Sequence, residues 1–427
     1  MLIKNFRHVG HLDIPGGGQV FVKGGHAYVG HMAPPLGTSV VDVSNPRAPK
    51  VVAQLTLPEH THSHKARVVG DLLFVNSERF KGHAAFDRPG WAIYDVSRPS
   101  NPRAVTFVHT HGDGVHRFSV DERHAYITTE VEGYLGGLTV IYDLADPGRP
   151  REVSRWWLPG QWTAGGETPT WEGKRHRTHH ALRCGDRLAI GCWYGGLALV
   201  DVSDITRPRT LAYLDWSPPY PAPTHTAMKI PWKIRERDLL VATDEHITDT
   251  HTDPSPFFWV VDISNESKLV PVANFMVPEA AVPNTVGRFG SHQPQEQLYP
   301  GDNVLHVTWF SGGLRAIDLS DPYVPREVGY FVPDPGPGAR SAQSNDVYVT
   351  PDGLVYVIDR INGLDILERG APTAKARAGA AKRSVKAAAR PKPSVPRPSA
   401  RSGTAGARAK PRAAKGGKGA RRGRRGR

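Results

Sequence analysis

The chain has 427 residues, of which 39% are hydrophobic, so it is long enough to bury a large core in one or two domains. Its net charge of +13 is unevenly distributed, because residues 371–427 hold 19 Lys or Arg and no acidic residue, whereas residues 1–370 hold 35 basic and 41 acidic side chains. Two cysteines exclude a disulfide framework, and no apolar stretch is long enough for a membrane span or an export signal. We therefore expect a cytoplasmic protein without membrane association.

A short apolar strand that ends in aspartate, usually followed closely by a small polar residue, recurs seven times. The first copy is SVVDVSNP (39–46) and the last is LDILE (364–368). The aspartates are spaced 47–61 residues apart and stand at Asp42, Asp95, Asp143, Asp201, Asp262, Asp318 and Asp365. This period fits one four-stranded propeller blade with its loops, so the sequence predicts an all-β, seven-bladed β-propeller.

The last repeat differs from the others because no outer strand follows LDILE before the basic segment begins. Residues 5–16, NFRHVGHLDIPG, match the rhythm of residues 326–336, REVGYFVPDPG, which follow the sixth repeat. We therefore predict that the N-terminal strand completes the seventh blade and closes the ring, which protects the edge strands. Residues 1–370 form the predicted propeller, and residues 371–427 form a separate segment.

A second pattern accompanies the first: a histidine opens a strand, a second strand follows, and in three of five copies a glutamate ends that second strand. The copies span residues 58–78, 114–130, 178–193, 224–245 and 291–310. The histidines are His64, His116, His180, His225 and His292, and the glutamates are Glu78, Glu130 and Glu245. Since equivalent positions on the innermost strands form a ring around the axis, we expect these side chains at one mouth of the channel.

Other residue types take these positions in the remaining copies. Gln19 and Asn345 replace the histidine in blades one and seven, and the glutamate is replaced in blades four, six and seven by Trp193, Phe310 and Arg360. We expect these five side chains to line a pocket beside the histidines. The histidines that precede the ring positions are interpreted as loop residues, with a place beside the metal ligands as the alternative: His60, His62, His109, His111, His176 and His179.

Converging imidazoles suit a divalent transition metal such as iron, copper, manganese or zinc. A glutamate beside each ligand would accept the N–H of the other ring nitrogen, which fixes the tautomer and raises the basicity of the ligand. Five histidines at one repeat position favour a metal site in which four of them are ligands. Two other interpretations stay open: a metal-free polar binding or acid–base site, and channel lining that is purely structural.

The marker strands, such as LALVDVS (197–203), resemble those of the LVIVD-repeat family over residues 1 to about 370. This resemblance implies a seven-bladed β-propeller and leaves the activity open. A looser similarity, which rests on the histidine positions, is to the selenium-binding protein and methanethiol oxidase group. Carotenoid cleavage oxygenases, in which four histidines backed by glutamates bind metal on a seven-bladed propeller, resemble the chain only in that arrangement.

These observations predict a metal-dependent oxidoreductase that binds a small substrate at the channel mouth. The alternative is a non-catalytic propeller that serves as a protein- or ligand-binding scaffold. Residues 371–427 consist mostly of Ala, Lys, Arg, Pro, Gly and Ser and contain no aromatic residue, so we expect disorder. Their charge favours binding to nucleic acid or another polyanion without sequence preference, and the alternative role is that of a solubilising extension.

Overall fold

The computed structural model describes residues 1–83 and 86–370. Residues 371–427 lie outside the described part of the chain, so their expected disorder, their polyanion binding and the domain boundary before them stay predictions. The described residues form 29 β-strands and two short 3-10 helices, at Thr163–Gly165 and Glu279–Ala281. Within these residues, no helix is long and apolar enough to cross a membrane.

The strands are short, and most of them have five to eight residues. In chain order they are β1 (Leu2–Lys4), β2 (Phe6–Leu12), β3 (Gly17–Lys23), β4 (His26–His31), β5 (Leu36–Asp42), β6 (Lys50–Thr56), β7 (Thr61–His62), β8 (Ala66–Val69), β9 (Leu72–Arg79), β10 (Gly90–Asp95), β11 (Arg103–His109), β12 (His111–Val120), β13 (His124–Glu130), β14 (Leu138–Asp143), β15 (Arg151–Trp156), β16 (His176–Cys184), β17 (Arg187–Trp193), β18 (Leu197–Asp201), β19 (Arg209–Leu214), β20 (Thr224–Lys229), β21 (Leu239–Asp244), β22 (Phe258–Asp262), β23 (Val270–Phe275), β24 (Val304–Thr308), β25 (Leu314–Asp318), β26 (Arg326–Val332), β27 (Ser344–Val349), β28 (Leu354–Asp359) and β29 (Gly363–Arg369).

These strands form seven antiparallel blades, which confirms the predicted fold. In order, the blades contain β3–β6, β8–β11, β12–β15, β16–β19, β20–β23, β24–β26 and β27–β29. The innermost position of blade six is held by an irregular segment, in which His292 and Gln295 donate backbone hydrogen bonds to Thr308 and His306. Apolar side chains of neighbouring blades pack against each other, as Val241 and Val260 of blade five do in one cluster with Val307 of blade six.

The N-terminal strand closes the ring, as predicted. β2 pairs antiparallel with β29, with Phe6 opposite Arg369 and Leu12 opposite Leu364. β1 extends this closure to a second blade, because it pairs with β26 of blade six. The first residues of the chain therefore connect the last two blades. The sequence pattern does not indicate this connection.

The repeated aspartate has a local structural role. The side chains of Asp42 and Asp201 each accept the backbone N–H two residues later, at 3.0 Å, from Ser44 and Ser203. This Asx turn ends the marker strand and starts the loop to the outer strand. Residues 197–200 of the fourth marker strand are all buried, because blades pack on both of its faces. A strand that is covered on both faces has a continuous apolar sequence.

Candidate metal centre

Six imidazoles form an arc at one mouth of the central channel. The distances between successive ring centroids along the arc are 4.0, 4.9, 5.2, 4.4 and 4.2 Å. In this order the residues are His62, His64, His116, His179, His225 and His292. Four of them, at 64, 116, 225 and 292, are histidines for which the sequence predicts this convergence, whereas two come from positions interpreted as loop residues.

A β-bulge in several of the innermost strands places a residue at the arc. In β12, His116 is the extra residue between the paired Val115 and Arg117. His225 of β20 and Asn345 of β27 occupy the same position in their strands. An extra residue of this kind bends the strand and changes the direction of its side chain.

The same register corrects two of the predicted positions. In β16 the pairing resumes at His180, opposite Gly191, so His179 lies in the bulge and His180 follows it. In β3 the pairing resumes at Gln19, so Gly18 lies in the bulge. A bulge adds one residue to a strand. The repeat position that is counted along the sequence is therefore wrong by one residue in both β16 and β3. The Thr-His dipeptide shared by residues 178–179 and 224–225 is the sequence signal that identifies the correct histidine.

His180 and Gln19 are consequently buried away from the arc. The Nε2 atom of His180 lies 3.6 Å from Oε1 of Glu296, and the ring is fully buried. Gln19 accepts the backbone N–H of Ala66 at 3.2 Å. Neither side chain lines the cavity in front of the arc.

Hydrogen bonds to Nδ1 orient the imidazoles of the arc. His116 donates to Glu78 at 2.8 Å, and His179 and His292 donate to the backbone carbonyls of His225 and Asn345 at 2.8 and 2.6 Å. A proton held on Nδ1 leaves Nε2 with a free lone pair, which is the state of a histidine that ligates a metal. Nε2 of His179 is buried and has no hydrogen-bond partner among the described residues.

Glu245 lies beside three of these rings. Its Oε2 atom is 3.9 Å from Nε2 of His225, and its Oε1 atom is 3.9 Å from Nε2 of His292. Arg288 donates to Oε1 at 2.8 Å and so fixes the carboxylate. Donor atoms of His179, His225 and Glu245 lie within 4.8 Å of one another, and all three residues are buried.

Glu78 occupies the equivalent place at the other end of the arc. It accepts hydrogen bonds from His116 and, at 3.2 Å, from Nδ1 of His62, whose ring stacks on that of His64. The antiparallel pair of Glu78 with Gly114 brings it to His116 of the next blade. His62, His64 and Glu78 form a second group of donor atoms within 4.8 Å.

Glu130 does not join either group. Its side chain is 42% exposed, and its nearest ionic partner is Arg175, 3.7 Å away. It lines a smaller neighbouring cavity of about 210 Å³ together with Glu78 and His116. The expected hydrogen bond from an arc histidine to Glu130 is therefore absent from the described contacts.

The protonation states fit a metal site. Burial lowers the pKa of His64, His179, His225 and His292 well below the usual value, and neighbouring positive groups lower it further. Burial alone would raise the pKa of Glu78, but the charge and hydrogen bonds of His116 and His62 outweigh it, so the net shift is downward. Neutral imidazoles and an ionised carboxylate are the forms that bind a metal cation.

A cavity of about 580 Å³ lies in front of the arc, within the usual size range of small-molecule sites. Trp193, Asn345 and Arg360 line it, as predicted. Phe310 is fully buried and packs against His292, with ring centroids 4.5 Å apart. The structure therefore brings four of the five expected pocket residues to the arc and leaves out Gln19.

Fold and site together define a β-propeller with a histidine-lined channel mouth. The LVIVD repeat model matches residues 17–56, which span the four strands of blade one, and residues 257–277, which span the last two strands of blade five. The chain carries LVIVD repeats. No curated protein matches the chain, and the similarity to selenium-binding proteins and methanethiol oxidases finds no support.

Three solved structures are similar to this chain at low sequence identity. A periplasmic gluconolactonase, PpgL, from Pseudomonas aeruginosa is similar with a TM-score of 0.53 and 14% identity, over 81% of this chain and 97% of that one. The computationally designed protein Ika8 matches with a TM-score of 0.49 and 9% identity, over 84% and 99%. Sqt1 from Saccharomyces cerevisiae matches with a TM-score of 0.49 and 8% identity, over 86% and 89%. The similarity to the gluconolactonase supports the fold alone.

Proposed function

We propose that the arc binds a divalent transition metal through His179, His225 and Glu245, with His292 adjacent. The observation that carries this proposal is the buried, unpartnered Nε2 of His179 beside a carboxylate that is close to two further imidazoles. A buried polar atom without a partner is costly unless a ligand satisfies it. Metal–nitrogen bonds are about 2.0–2.1 Å long, so binding requires small rotations that draw the donor atoms together.

Two histidines and one carboxylate are typical of non-haem iron oxygenases, and imidazole also suits copper and zinc. Of these metals, iron and copper supply redox chemistry, and we propose an oxidoreductase that uses dioxygen to oxidise a small substrate held in the cavity. Arg288 holds Glu245 through one oxygen and leaves the other free to face His225. Glu78 fixes the tautomer of His116 and is placed to exchange a proton with it.

Metal content separates this proposal from a structural role of the histidines. The matched variants are His179→Gln and His180→Gln, which change neighbouring buried residues in one strand. We expect untagged wild-type protein to contain stoichiometric metal by mass spectrometry, His179→Gln and Glu245→Gln to lose at least about 90% of it, and His180→Gln to retain it. Circular dichroism confirms that each variant is folded. Retention of the metal by a folded His179→Gln/His225→Gln double variant would overturn the proposal.

Nitric oxide tests the proposed reaction with dioxygen, because it binds open positions on ferrous iron. The iron-loaded protein is expected to give a high-spin iron–nitrosyl signal in electron paramagnetic resonance. If the iron-loaded protein gives no such signal, its iron has no open position, and the oxidoreductase proposal then fails although the metal site stands.

The alternative function is a non-catalytic propeller that binds a small ligand or a protein. One observation favours ligand binding without a metal: several cationic side chains line the cavity, and some of them have no carboxylate partner. Residues 371–427 would then attach the propeller to a polyanion, which stays a proposal from the sequence.

A further inference from the structure

The cavity in front of the arc is strongly cationic. Its lining includes six basic side chains and only two acidic ones, Glu78 and Glu245. The basic residues are Lys65, Arg79, Lys81, Arg177, Arg288 and Arg360. Arg79 and Arg288 form ion pairs, with Asp113 at 2.5 Å and with Glu245 at 2.8 Å. The remaining charge is therefore not balanced by the protein around it.

Arg177 and Arg360 are half-buried cations that lack an ion pair. Within the described residues, no carboxylate oxygen lies within 4.0 Å of either guanidinium. Lys65 lies deeper, at 3% exposure, and burial lowers the pKa of its ammonium group well below the usual value. Nε of Arg360 is buried without a hydrogen-bond partner. Buried cations without counter-charge are unfavourable, so their presence in a cavity calls for a bound anion.

Other buried arginines of the same propeller provide a comparison. Arg67 is paired with Glu296, and Arg315 with Glu327 at 3.0 Å. Arg117 is not paired in this way: it is 1% exposed, donates to the neutral amide of Gln293 and forms no ion pair among the described residues. Arg177 and Arg360 also lack a carboxylate partner, and they differ from Arg117 because they line the cavity.

Aromatic side chains accompany the two free arginines. The guanidinium of Arg177 lies 4.8 Å from the centroid of Trp193, and that of Arg360 lies 5.7 Å from the centroid of Phe310. Stacking on a ring orients the planar guanidinium while its N–H groups remain available at the edge. A guanidinium held in this way binds a carboxylate through two parallel hydrogen bonds.

We infer that the cavity binds a small organic carboxylate, with Arg177 and Arg360 as its counter-charges and Trp193 as part of its apolar wall. This inference names the substrate class of the proposed enzyme and rests on that proposal for its role in catalysis. Binding of the anion itself does not require the metal, so the two proposals can be tested separately.

The test uses metal-free, full-length protein and isothermal titration with phenylacetate, succinate and inorganic phosphate. Phenylacetamide and succinamide, which have similar shapes without charge, are the neutral partners. We expect at least one carboxylate to bind at least about tenfold more tightly than its amide. Arg177→Gln and Arg360→Gln should each weaken that binding by about tenfold.

Arg183→Gln is the matched control, because Arg183 lies at a different cavity and is paired with Asp121 at 3.3 Å. This variant should bind the carboxylate as tightly as the wild-type protein does. Both proteins contain residues 371–427, so any binding of the anion to that segment is the same in the two. Equal affinity for carboxylates and amides, binding of phosphate alone, or unchanged affinity in folded Arg177→Gln/Arg360→Gln protein would each overturn the inference. If the wild-type protein lacked stoichiometric metal in the earlier experiment, the proposed metal site would be wrong. The result on carboxylate binding would still stand.

Discussion

Two rings of side chains, one residue apart along the same inner strands, differ in what they can do. The upper ring consists of Gly18, His64, His116, His179, His225, His292 and Asn345. Of these, His64, His116, His225, His292 and Asn345 line the cavity. The lower ring consists of the residues that follow: Gln19, Lys65, Arg117, His180, Thr226, Gln293 and Asp346. All members of the lower ring are at most 5% exposed.

Members of the lower ring bind one another and their neighbours. Arg117 donates to Gln293, which also accepts from the hydroxyl of Thr226 at 3.1 Å, and Asp346 accepts the N–H of Val20 at 3.0 Å. In the upper ring, Nδ1 of His179 is bound and its Nε2 has no partner, but the lower ring also holds buried atoms without a partner, at Nε2 of His180 and at Nε and Nη1 of Arg117. The upper ring differs because donor atoms of His179, His225 and Glu245 lie within 4.8 Å of one another, as a metal site requires.

The largest effect is expected below the lower ring, at the ion pair of Arg67 and Glu296. Glu296→Ala leaves a buried guanidinium without counter-charge, and the free energy of unfolding in urea should fall by about 3–5 kcal/mol. Glu245→Gln, beside the upper ring, keeps an acceptor for Arg288 and should cost only about 1 kcal/mol. Arg67→Met/Glu296→Met should recover most of the loss. If Glu245→Gln proved the more destabilising change, the assignment of stability to the deeper groups would be wrong.

Steric fit in the upper ring is tested by Gly18→Ala. A Cβ atom at this position would lie 2.7 Å from Cβ and from the carbonyl oxygen of His64, so the histidine must move. We expect a loss of about 1–3 kcal/mol in unfolding free energy. Gly148→Ala is the control, because the nearest atom to its Cβ is an exposed carboxylate oxygen of Asp146 at 3.2 Å. Equal stability of the two variants would show that His64 is not confined as described.

A buried histidine outside both rings provides the reference for pH dependence. Burial lowers the pKa of His306 to about 3, from 6.5 in an exposed state. As pH falls below 6.5 the unfolded chain takes up the proton first, so this residue should reduce stability by about 1.4 kcal/mol per pH unit until pH approaches its folded pKa. His306→Gln should flatten the dependence of unfolding free energy between pH 6 and 4 by that amount. An unchanged slope would mean that the ring is already protonated in the folded protein.

The sequence predicts the blades correctly because their markers are local. The Asx turns, such as those at Asp42 and Asp201, need only residues two positions apart, so they recur in blades one to six. Asp365 of blade seven instead accepts hydrogen bonds from His8 and His11 of β2. Closure is also predictable, since β2 has the rhythm of an outer strand. The added pairing of β1 with blade six depends on the geometry of the completed ring.

The candidate site is less predictable, because its register depends on bulges. His116 and His225 have no second histidine next to them in the sequence. His179 and His180 are adjacent, and only the pairing of His180 with Gly191 separates them. His62 joins the arc because it lies in β7, a two-residue strand that pairs with β9. The repeat pattern of the sequence does not indicate this strand. Glu130 has the sequence position of Glu78, but its exposed side chain turns toward Arg175.

The smallest effect on the propeller is expected from deleting residues 371–427. The 19 positive charges of this segment should account for retention on a nucleic-acid column at low salt, with affinity that falls steeply as salt rises. The free energy of unfolding and the metal content of residues 1–370 should not change, because both rings and their hydrogen bonds lie within that part. The truncated protein should also keep its affinity for the carboxylate probe, since Arg177 and Arg360 remain. Carboxylate binding that disappears with the segment would place the anion site there and not in the cavity.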